Sequence, residues 1–173
     1  MKYLSLLSLP LAALLFAGCG KASPSAPAKV AEVHGYLDHA QPKLRTMKIY
    51  LGAETLDAEL ALSDQEIETG MMFRTNILET DAMLFDLRYP QRAGFWMKNC
   101  PESISVAYIT TDGVIQEIHH LEKEDTNTVF SARNDIVFAL ETKDGWFGRH
   151  HIGTGTLVTT ERGSLANTFL RRQ

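Results

Sequence analysis

The chain has 173 residues, with 17 Lys+Arg against 21 Asp+Glu and a formal net charge of −4. At 45% hydrophobic and 22% charged it has the proportions of a folded protein, and one domain with a real core suits this length. The acidic balance argues against a nucleic-acid partner, which calls for a basic face; two cysteines exclude a multi-disulfide scaffold and a four-thiolate zinc site.

Residues 1–18 hold one positive charge, Lys2, followed by an apolar run broken only by Ser5, Ser8 and Pro10. A spanning helix needs about 20 apolar residues, so this run suits a secretory signal better. Leu15-Phe16-Ala17-Gly18-Cys19 resembles the lipobox of bacterial lipoproteins, with Phe16 where Leu is usual. The resemblance implies cleavage before Cys19, lipidation of its thiol and palmitate on the new N-terminus. Gly20, rather than Asp, follows the cysteine, which by the same resemblance implies the outer membrane of a Gram-negative envelope.

Residues 19–45 read as the lipidated cysteine and a flexible tether, rich in Ser, Pro and Ala at its start. Residues 46–160 form a single β-rich domain. Residues 47–51 and 55–62 are strand-like and separated by Gly52-Ala53-Glu54, a hairpin signal. Ser63 with Glu66 three residues later is a capping box, opening a helix that ends by Phe73. Gly70 reads as its left-handed cap. Residues 83–87, 94–98, 103–110, 114–122, 136–141 and 155–159 complete the strands, with Thr111-Asp112-Gly113 a turn. Seven to eight short strands and one short helix predict a mainly β fold, either a β-sandwich or a partly open barrel. Residues 161–173 form a short basic tail, with Leu165 and Phe169 on one face of a possible helical turn. Residues 47–159 contain 18 acidic and 9 basic side chains, so an acidic body lies between basic ends.

Three segments together resemble the domain of unknown function 192 family. They are residues 61–74, with Gly70-Met71-Met72-Phe73-Arg74; Met83-Leu84-Phe85 followed by Phe95-Trp96-Met97-Lys98-Asn99; and Ala139-Leu140-Glu141 followed by Gly145-Trp146. The resemblance spans about Lys48 to Val158 and implies a mainly β fold but no reaction. Cys100, Ser103, Ser105 and Ala82 stand where the family usually has Thr, Pro, Asp and Gly. Ser105 therefore supplies no metal-binding carboxylate.

The candidate ligand-binding residues are Arg74, Trp96, Lys98, Asn99 and Glu141. On a strand, Trp96 and Lys98 share one face and Met97 and Asn99 the other. That pairing fits a groove gripping an anionic or sugar-like ligand; the alternative has Trp96 in the core and Lys98 paired with a carboxylate such as Glu141. The Arg74 fork fits either a ligand carboxylate or an internal one, Glu141 or Asp86. Met71, Met72 and Met97 read as gap-fillers, because no Cys or His is interleaved with them to make a copper site. Within His119-His120 and within His150-His151, adjacent strand residues point to opposite faces and cannot share a metal. Cys100 reads as a small hydrophobe, with a nucleophile as the alternative. No hydrolase elbow, phosphate loop or dinucleotide fingerprint occurs.

These readings assign no catalytic residue, metal or cofactor. They favour a lipid-anchored cell-envelope binding or accessory module. Its partners are the membrane, through Cys19, and a small molecule or envelope component, with no nucleic acid. The alternative is a small hydrolase-like envelope enzyme using Glu141 or Cys100.

Overall fold

The computed structural model describes residues 35–170. The signal segment and Cys19 lie outside the described residues, as do residues 171–173. The body is built on one continuous eight-stranded sheet, curled into a half-barrel, with a separate two-stranded ribbon beside it. This is the partly open barrel of the two expected architectures.

Strand β1 (Thr46–Leu51) and β2 (Glu54–Ala61) form the first hairpin, in register from Thr46↔Glu59 to Leu51↔Glu54. Helix α1 (Asp64–Thr69) then carries the chain to β3 (Ala82–Gln91), which lies parallel to β2. The ribbon pairs β4 (Gly94–Phe95) with β7 (Val129–Phe130). Strands β5 (Ile104–Thr110) and β6 (Ile115–Leu121) form a second hairpin, and β8 (Ile136–Lys143) inserts between β3 and β5. A four-residue helix α2 (Trp146–Arg149), then β9 (Val158–Thr160) and β10 (Gly163–Ser164), complete the sheet. Its order is β10-β9-β1-β2-β3-β8-β5-β6. Gly113 closes the second hairpin at φ +87°, where a Cβ would meet the Val158 carbonyl oxygen at 2.7 Å.

Strands β5 and β8 are buried along almost their whole length, so their sequences read as nearly continuous apolar runs. Two apolar layers result. One holds Ile49, Leu60, Leu84, Leu140, Trp146 and Phe147. The other holds Met83, Phe85, Met97, Cys100, Val106 and Tyr108. The register puts Glu141 opposite Met83 on β3 and Val106 on β5, and hence in the second layer.

Three local expectations need correction. The strand expected over 94–98 stops at Phe95, and residues 96–100 turn instead. Its register cannot continue because Met97 N–H donates to the Asp125 carbonyl at 2.7 Å and Cys100 N–H to that of Met97 at 3.0 Å. Gly70 ends α1 at φ 48° and ψ −131°, which is not the left-handed helical cap expected but a region open essentially to glycine alone. Residues 36–44, counted with the tether, lie against the body. Leu37 N–H donates to Thr69 Oγ1, the buried Gln41 amide to the Gly70 carbonyl, and Leu44 N–H to Glu59 Oε2. Those bonds satisfy groups at the open end of α1 and a buried carboxylate, which a composition count does not see. After β10 the chain packs back as a π-helical turn, Ala166–Leu170, burying Leu165 and Phe169.

Candidate functional site

The α1–β3 connection and the turn after β4 come together over the second apolar layer. Phe73 N–H donates to the Asn99 carbonyl at 2.7 Å, and Asn99 Nδ2 lies 3.8 Å from Met72 Sδ. Both Phe73 and Asn99 have positive φ, 61° and 59°. Asn tolerates that conformation, whereas an aromatic residue held there marks a backbone that its surroundings over-determine. The two loops thereby form one rim.

Beneath the rim is a hollow of about 250 Å³. Phe85, Phe95, Trp96, Met71, Met72 and Cys100 supply most of its wall, and Glu141 lies in it with Glu68. Phe85 and Phe95 stand edge to face, their centroids 5.0 Å apart and planes at 83°. Glu141 is only 4% exposed, and its Oε2 has no hydrogen-bond partner among the described residues. Burial pushes its carboxyl up to about 8, against a weaker opposing pull from Arg74. At neutral pH it is therefore mostly protonated. Burial also pushes the Cys100 thiol up to about 12, with the Glu141 charge adding to it.

Arg74 is taken up elsewhere. Its fork donates to both oxygens of Glu59, at 2.6 and 2.9 Å, and the pair is largely buried. This partner is neither of the two carboxylates expected. Glu59 is a buried position on β2, and both its oxygens lie within reach of the fork. Lys98 does not pair with Glu141 either. Its ammonium sits 5.2 Å from the ring centroids of both Tyr36 and Trp96, a cation–π arrangement. Trp96 itself is 37% exposed and is not core; the buried tryptophan is Trp146. The histidines pair separately: His119 with Glu117, His120 with Asp144 and Glu122, and His150 with Glu54 and Glu79.

The profile of DUF192, a family described as an uncharacterized ACR, matches residues 47–160. The chain belongs to the DUF192 family. A crystal structure from Sinorhizobium meliloti 1021, described as a candidate transcription regulator, has a similar fold, with a TM-score of 0.66 and 24% identity. The match covers 70% of this chain and 98% of that one. A protein of unknown function from Novosphingobium aromaticivorans DSM 12444 aligns with a TM-score of 0.64 and 25% identity, covering 69% of this chain and 89% of that one. No functionally curated protein matches.

In this DUF192 domain the motifs read from sequence converge on one place. Trp96 and Glu141 line the same hollow, Asn99 holds its rim, and Lys98 braces Trp96 from outside. Arg74 instead lines a neighbouring depression with Ala40, Phe73 and Asp81. Sequence reasoning missed Phe85, Phe95 and Glu68 as wall residues, and Glu59 as the partner of Arg74. The signal for Phe85 was its place two residues after Met83 on a strand paired with β8, which sets it on the Glu141 face.

Proposed function

We propose that this DUF192 protein is a lipid-anchored binding module of the cell envelope that holds a small molecule in the hollow around Glu141. The observation that carries the reading is the buried Glu141 oxygen, left without a partner among the described residues, inside a mostly apolar wall. Such a group costs free energy in the empty protein and is satisfied by a ligand. A concave, mostly apolar site with few polar groups has the form of a small-molecule pocket. The lipobox resemblance at Cys19 supports attachment to the outer membrane of a Gram-negative bacterium.

A hydrolase-like reading draws on the same carboxyl, because a group titrating near 8 serves as a general acid or base. Cys100 does not supply the nucleophile, since its thiol stays protonated at neutral pH. Neither Lys98 nor Arg74 reaches the hollow to stabilise developing negative charge. Binding therefore accounts for more of the geometry than turnover does.

Native mass spectrometry of the full chain purified from its own envelope tests the proposal. A discrete small-molecule adduct is expected on the wild type and lost on Trp96→Ala. A wild-type chain without an adduct, or an adduct unaffected by Trp96→Ala, overturns it.

A further inference from the structure

We propose that the ligand of this hollow is a small organic cation, an ammonium group on an apolar body, with the ammonium donating to Glu141 and the body lying against Phe85, Phe95 and Trp96. The inference rests on the pocket reading above and assigns the ligand's chemical class. Three observations point the same way. Both ionisable carboxylates of the wall, Glu68 and Glu141, are acidic, and no Lys, Arg or His lines it. Glu141 Oε2 is a buried acceptor that receives no hydrogen bond from the described residues. The wall is rich in aromatic rings, Phe85, Phe95 and Trp96, and an aromatic face attracts a cation. The Trp96 ring already takes the Lys98 ammonium at 5.2 Å on the outer side of the rim.

Charge on the molecule adds to this. The 18 acidic against 9 basic side chains of residues 47–159 draw cations toward the body and hold anions off. An anionic or sugar-like ligand, the expectation from Trp96 and Lys98 on one strand face, has no cation to meet inside the hollow. The groups that face Glu141 are Arg74 from the loop after α1, Tyr108 from β5 and Cys100 from the turn after β4; Glu68 stands on α1. Arg74 is held by Glu59 and keeps its charge throughout, and burial holds both Cys100 and Tyr108 protonated. Glu141 is then the group that titrates when the ammonium enters: its acid proton passes to solvent and the carboxylate accepts the ammonium N–H. Binding is accordingly weak in acid and strengthens as Glu141 ionises.

The test is calorimetric titration of the purified full chain with three probes of one shape: 2-phenylethylamine, 2-phenylethanol and phenylacetate. At about pH 8 the amine is expected to bind about tenfold or more tightly than the alcohol, and phenylacetate more weakly than either. Amine affinity is expected to rise about tenfold between pH 6 and 7 and to level off above pH 8. Glu141→Gln is expected to remove that pH dependence and about tenfold of amine affinity. Should Glu141→Gln fail to fold, the three-probe ranking and pH profile of the wild type decide alone. Alcohol or phenylacetate binding as tightly as the amine overturns the cation assignment and leaves the pocket reading standing. Absence of binding by all three probes overturns the assignment too, and the pocket reading falls with it only if the native chain also carries no adduct.

Discussion

Glu59 receives both prongs of the Arg74 fork and the Leu44 N–H, with 9% and 19% of the Glu59 and Arg74 side chains exposed. Neither charge has enough water to stand alone, so removing one strands the other. Arg74→Ala is expected to destabilise the fold by about 3–5 kcal/mol, read from urea denaturation. The double change Glu59→Gln with Arg74→Met is expected to recover most of that loss, because it leaves no orphaned ion. Glu141 raises a second residue-scale question, one of pH. Its folded carboxyl titrates near 8 against an ordinary 4.5, so between those values the folded state holds a proton that the unfolded state has released. Stability from this group is complete below about 4.5 and is lost as pH rises toward 8, at up to about 1.4 kcal/mol per pH unit. Glu59 acts in the opposite sense: its partners Arg74 and Leu44 N–H hold its carboxyl below the ordinary value, outweighing burial. Its contribution is present above the ordinary carboxylate range and lost as acid protonates it. Wild-type stability is therefore expected to fall between about pH 5 and 8, and Glu141→Gln to flatten that slope in paired denaturation curves.

At the scale of elements, α1 is six residues long and far too short to form alone. Ser63 Oγ accepts from Glu66 N–H, Glu66 Oε2 accepts from the Ser63 and Leu62 N–H groups, and Gln41 ties down the other end. Ser63→Ala is expected to cost about 1 kcal/mol in thermal or urea unfolding. Gly70→Ala is expected to cost about 1–3 kcal/mol. The reason is its backbone: the added Cβ would sit 3.5 Å from Phe85 Cζ and 3.8 Å from Glu141 Oε2, which are ordinary contacts. The cap at Ser63, both hairpins and the strand content were legible in sequence, because each is decided by residues within a few positions. The turn at 96–100 was not. Trp-Met-Lys-Asn alternates well enough for a strand, but the Met97 carbonyl's bond from Cys100 N–H and bonds to Asp125, Phe73 and Met72 bend it. The partner of Arg74 was hidden for a related reason. Glu59, Asp86 and Glu141 are equivalent carboxylates in a sequence, and the choice among them depends on where β2 lies relative to a loop 15 residues later. Glu141 could be named as a candidate through the family resemblance, but its lack of a partner among the described residues is a property of the packed layer alone.

At the scale of the whole molecule, position and charge have to agree. An acidic body between basic ends is repelled by anionic headgroups, so surface electrostatics does not hold this domain on a bilayer. The proposed attachment is covalent lipid at Cys19, and multiple acyl chains bind far more firmly than one. The two mechanisms separate on salt. Raising salt to about 1 M shortens the Debye length to about 3 Å and strips charge-bound proteins from membranes, but it leaves acyl chains in place. The full chain is expected to stay with the membrane fraction through such a wash, and to partition into the detergent phase on cloud-point extraction. Cys19→Ser is expected to send it to the soluble fraction in both assays. Retention of Cys19→Ser on membranes would sink the anchor. Release of the wild type by salt would do the same, since acyl chains hold through such a wash. Residues 36–44 pack against α1 and β2 and so belong to the folded body.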